Sequence, residues 1–114
     1  MTDRQAIDAG ADSALGRESE LGRALEIVGP RWALLVVQVL LAGPCRFKDL
    51  TERLPGISTN LLVERLRGLE QAGVISRGVG AAPRSVVTYE LTDLGRALHP
   101  AIDELRRWSG RLPG

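Results

Sequence analysis

The side chains best placed to do chemistry lie close together, in Ser58-Thr59-Asn60, Val63, Arg65 and Arg67. If this stretch is helical, Thr59, Asn60, Val63 and Arg67 fall on one side of it. Their chemistry is recognition of nucleic acid. An amide such as Asn60 can pair with the edge of adenine, and a guanidinium such as Arg67 can fork onto guanine or grip a phosphate. The Ser58 hydroxyl can accept an N–H at a helix start, where open N–H groups also favour an anion. Arg46 and Arg84 are further arginines within reach of such a surface. Each has an ordinary alternative: Arg65 and Arg67 can pair with Glu64 or Glu70, and Val63 can be a plain exposed aliphatic.

Other chemistry is poorly supplied. His99 is the only histidine and stands beside Pro100, with no nucleophile near it in sequence. Cys45 is the only cysteine, so no intrachain disulfide is available. No metal-ligand spacing, glycine-rich phosphate loop or nucleophile elbow occurs. Neither an enzyme nor a cofactor is expected.

The elements around these residues follow from periodicity. Leu21, Ala24, Leu25 and Val28 recur at helical spacing, and Gly29-Pro30 ends that helix and opens the next. Trp32–Leu41 is apolar on nearly every side, which predicts a central, fully buried helix stopped by Gly43-Pro44. Arg46–Leu54 presents Phe47, Leu50 and Leu54 on one face. After the break at Pro55-Gly56-Ile57, Ser58 caps a longer helix, Thr59–Ala72, closed by Gly73. Leu62, Leu66 and Leu69 form its inward stripe; Asn60, Val63, Glu64, Arg67 and Gln71 fall opposite.

Beyond Gly73 the period shortens. Val74–Arg77 and Val86–Leu91 are rich in strand formers, and Gly78–Ser85 joins them as a loop. Thr92 then caps a C-terminal helix carrying Leu94, Leu98, Ile102, Leu105 and Trp108, which Pro100 must kink or interrupt. The fold class is therefore mainly α with a small antiparallel β-hairpin, in the order of a winged helix-turn-helix. Met1–Gly16 lacks sustained periodicity and is expected to be a mobile tail, with residues 17–110 as the folded domain.

A groove about 12 Å wide admits one helix, and a shorter helix behind can brace it. On this layout Ser58–Ala72 is the recognition helix and Gly78–Ser85 the wing, with Arg84 reaching phosphate or the minor groove. Charge is compatible. The chain has a net charge of only +1, but basic residues dominate Arg31–Arg84 and acidic ones Met1–Pro30. Such asymmetry favours a polyanion on one face, although an unevenly charged solvated surface looks the same. The N-terminus lacks the order of a secretory signal, and no apolar run approaches the roughly 20 residues of a membrane span. A cytoplasmic location without membrane attachment is expected.

In ordered segments the chain resembles the HxlR family of bacterial winged-helix regulators. The resemblance is carried by Gly29-Pro30-Arg31-Trp32, Gly43-Pro44-Cys45-Arg46-Phe47-Lys48-Asp49-Leu50 and Leu54-Pro55-Gly56-Ile57-Ser58. It continues through Leu62–Glu70, Gly73-Val74-Ile75 and Tyr89–Gly95 to Leu98, Pro100 and Trp108. It implies a homodimer joined through its N- and C-terminal helices and bound to double-stranded DNA at an inverted-repeat operator, repressing or activating nearby genes. Leu21, Leu25, Leu98, Ile102, Leu105 and Trp108 are the expected dimer residues; packing of the C-terminal stripe on its own core is the competing reading. Many members carry a sensor cysteine near the first helix, a position that falls at about Glu18 here. Cys45 has only Arg46 beside it to favour a thiolate and is expected to be structural rather than a sensor.

Two further readings concern partners. The same fold can bind protein instead of DNA, but the polar outward face of Thr59–Ala72 favours DNA. A small apolar or aromatic effector could sit between the terminal helices and Trp32, where Trp32 could equally be core.

Overall fold

A computed structural model describes residues 16–79 and 86–114. The described chain divides into two units after Pro30. The expected tail, Gly16 apart, and most of the wing loop lie outside the described residues.

In the first unit, Glu20–Val28 forms α1. Ser19 caps it by accepting the Gly22 N–H at 2.9 Å, and Gly29 closes it by donating to the Leu25 carbonyl. Arg17, ahead of the helix, pairs with Glu26 in its last turn. None of the helix residues is buried.

The second unit begins with α2, Ala33–Leu41. The expectation of a helix from Trp32 buried on every side is corrected twice. Trp32 stands outside the helix with φ 79°, the single non-glycine residue in the left-handed region among those described. Leu35 is exposed, because only the flank bearing Ala33, Val36, Val37 and Leu40 is covered. A left-handed conformation costs a side-chain-bearing residue about 1–2 kcal/mol. Two contacts oppose that strain: Trp32 packs against the core, and Arg65 Nε donates to the preceding Arg31 carbonyl at 2.7 Å.

Next come α3 (Phe47–Arg53) and α4 (Thr59–Gln71). Asp49 accepts the Arg46 N–H at 2.9 Å and closes the start of α3. That hydrogen bond is the main reason its carboxyl titrates below the ordinary aspartate range. Between the helices Gly56 adopts φ 98°, which an L side chain rarely tolerates, and its position lies beside the Trp32 ring. α4 buries Leu62, Leu66 and Leu69, as its pattern predicts. Burying each leucine stabilises the fold by about 1.5–3 kcal/mol.

After Gly73, β1 (Ile75–Val79) pairs antiparallel with β2 (Val87–Leu91), from Ile75 opposite Leu91 to Val79 opposite Val87. Gly78 and Val79, expected in the loop, therefore extend the strand. Cys45, also expected in a loop, adds a one-residue bridge to this ribbon. Its N–H donates to the Tyr89 carbonyl at 2.9 Å and its carbonyl accepts the Tyr89 N–H at 2.7 Å. Thus the segment before α3 is fastened to the hairpin.

The expected C-terminal helix is two helices, α5 (Asp93–Arg96) and α6 (His99–Ser109). Pro100 sits in the first turn of α6, where its missing N–H leaves no gap. Thr92 caps α5 by accepting the Gly95 N–H at 3.2 Å. Gly95 is buried, and any Cβ there would lie 2.2 Å from the Val74 carbonyl oxygen. The close approach of α5 to the hairpin base requires glycine. Leu50, Leu62, Leu69, Ile75, Val36 and Val37 form the centre of the core.

Candidate nucleic-acid interface

The turn of the chain at Ser58 decides which way α4 faces. The Ser58 hydroxyl accepts the Leu61 N–H at 3.1 Å, making it the N-cap. With Leu62, Leu66 and Leu69 buried, Thr59, Asn60, Val63, Glu64 and Arg67 are left exposed. This surface offers a hydroxyl, an amide and a guanidinium around one aliphatic contact. It is polar enough to stay in water and has donors and acceptors suited to base edges.

Other expected residues fare differently. Arg65 is half-buried, and its Nε donates to the Arg31 carbonyl at 2.7 Å. Arg46 is exposed at the start of α3 and lies 3.6 Å from Asp49, so its charge is partly offset. Arg84 falls outside the described residues. Three basic residues of the same unit were passed over: Lys48 and Arg53 are exposed on α3, and Arg77 projects from β1 to within 3.2 Å of Glu70 on α4. Lys48 and Arg53 stand beside Asp49 and Glu52 in sequence, whereas Arg77 has no acidic neighbour. Only the register of β1 against β2, and the packing of β1 on α4, bring Arg77 toward Arg67 and Glu70.

The expected dimer residues separate into two groups. Ile102, 5% exposed, is buried in the core of its own chain, and Leu98 packs against that core. These two face inward, toward their own core. Leu105 and Trp108 are 49% and 58% exposed, and Leu21 and Leu25 of α1 are 67% and 49% exposed. Within the second unit, Leu34, Leu35, Gln38, Ile102, Leu105 and Arg106 line a shallow, mostly apolar groove between α2 and α6. Trp32, half-buried, packs on the core and beside Gly56.

Remaining chemistry is sparse. Cys45 is buried, and its Sγ lies 3.6 Å from the Gly43 carbonyl. His99 is exposed and lies 3.3 Å from Asp103. Among the described residues no cluster of His, Cys, Asp and Glu could hold a metal ion, and no single helix is long and apolar enough to cross a membrane.

Comparison with known proteins agrees with the fold. The HxlR-like helix-turn-helix family matches residues 27–112. The HTH-type transcriptional regulator YodB of Bacillus subtilis is 41% identical over 89 residues, spanning 78% of this chain and 80% of that protein. Its reduced-form structure superposes with a TM-score of 0.74 at 37% identity, covering 82% of this chain and 93% of that one. The structure of the HTH-type regulator YtcD gives 0.77 at 33% identity, covering 82% and 95%. The winged helix-turn-helix built on α3, α4 and the hairpin thus has relatives in sequence and in structure that regulate transcription. The chain belongs to the HxlR-like helix-turn-helix family and is a DNA-binding transcriptional regulator, not an enzyme.

Proposed function

We propose that the chain acts in the cytoplasm as a homodimer on an inverted-repeat operator, with α4 of each protomer in the major groove. The observation that carries this reading is the exposed flank of Thr59, Asn60, Val63 and Arg67 opposite a stripe of buried leucines. Asn60 and Arg67 read base edges, Thr59 and Val63 make the closer contacts, and Ser58 serves as the cap. Arg46 approaches the backbone from α3. The wing, about Gly78–Ser85, carries Arg84 onto phosphate or the minor groove. Leu21, Leu25, Leu105 and Trp108 supply the dimer contacts, since large apolar side chains left open on terminal helices favour a twofold partner. Thiol sensing is not part of this reading, because the single cysteine is buried.

Selection of bound fragments from genomic DNA with the purified protein tests it. Recovered fragments should share two inverted half-sites about 34 Å apart, roughly one helical turn. Affinity should fall steeply with salt as phosphate counterions are displaced. Recovery of fragments without a shared motif, or binding indifferent to salt, contradicts it.

A further inference from the structure

The cleft between α4 and the hairpin has a composition that base readout does not explain. It encloses about 220 Å³ and is lined by Val63, Leu66, Arg67, Glu70, Arg77 and Tyr89. Val63, Arg67 and Glu70 succeed one another at i, i+4 and i+7 on α4, so they line one wall. Arg77 and Tyr89 are cross-strand partners in the hairpin and form the other. Two guanidiniums therefore face a cleft whose single lining carboxylate, Glu70, is held by one of them. The Arg77 Nε donates to Glu70 Oε2 at 3.2 Å, and both side chains remain partly open to water. An ion pair so exposed is weak, and a phosphate oxygen is at least as good an acceptor for arginine. The pair is thus easily exchanged for another anion.

We propose that this cleft seats a backbone phosphodiester of bound duplex DNA, and that Glu70 holds Arg77 in the place of that phosphate until DNA arrives. The aliphatic and aromatic lining from Val63, Leu66 and Tyr89 suits the sugar carbons on either side of the phosphate. Arg67 then divides its role between the base edge and this backbone position, while Arg77 contributes affinity without sequence preference. The proposal rests on the DNA reading given above.

Salt titrations of the full chain on a selected site and on a random duplex test it. Arg77→Gln should weaken both complexes about tenfold and lower the salt slope by about one. Arg77→Lys should keep most of the slope. Glu70→Gln should tighten both complexes, and that gain should vanish when Arg77 is also Gln. If the gain from Glu70→Gln persists without Arg77, Glu70 merely repels the duplex and the proposal fails. It fails equally if Arg77→Gln leaves affinity and slope unchanged while the unaltered protein binds normally. A wild-type chain that binds neither duplex even at low salt overturns the DNA reading itself, which is a different result.

Discussion

Two amphipathic helices of the second unit, α4 and α6, end in opposite situations. α4 satisfies its apolar stripe within its own chain: Leu62, Leu66 and Leu69 are buried, and what remains outside is polar apart from Val63. α6 buries only Ile102, leaving Leu105 and Trp108 in the open. Since burial of apolar surface is the main favourable term in association, the unfinished helix is the one with something to gain from another protein. The finished helix has donors and acceptors to offer and little apolar area, which suits a polyanion with patterned base edges. On the reading proposed above, one domain separates protein contact and DNA contact onto different helices.

The contrast can be broken from either side. The largest effect is expected from Leu66→Ala, which leaves a cavity beneath the recognition surface and should cost about 2–5 kcal/mol of stability in chemical denaturation. A cost below about 1 kcal/mol would mean that α4 is not anchored as described. Trp108→Ala should leave the monomer fold intact, since the ring is largely exposed, but should weaken dimerisation by about 2 kcal/mol or more if it is an interface anchor. Sedimentation at several concentrations measures this. Unchanged association would remove α6 from the interface. Ser58→Ala should have the smallest effect, about 1 kcal/mol of stability from loss of the Leu61 cap, with little change in oligomeric state.

How far these features can be read without coordinates depends on whether their causes are local. The leucine stripe of α4, the Ser58 cap and the stop at Gly73 follow from spacing and residue type, and the structure has all three. The missed features depend on distant partners. Nothing near Trp32 announces a left-handed aromatic, because the hydrogen bond beside it comes from Arg65, far along the chain. The same bond draws Arg65, which stands beside the buried leucine stripe of α4, onto the Arg31 carbonyl. Cys45 becomes strand-like only because Tyr89 pairs with it. Ile102 shares α6 with the exposed Leu105 and Trp108, and only the packing of α6 on α2 decides which of them lies inside. Arg77 comes beside α4 only through the hairpin register and the packing of β1 on that helix.

The claim that α4 reads sequence is tested most directly at Asn60, whose exposed amide has no part in the core. Binding of Asn60→Ala should be measured on the selected operator and on random duplex at one salt concentration. Loss of about 1–3 kcal/mol on the operator, with relaxed preference at one position of each half-site and random binding unchanged, is the predicted result. Equal weakening on both duplexes would contradict it.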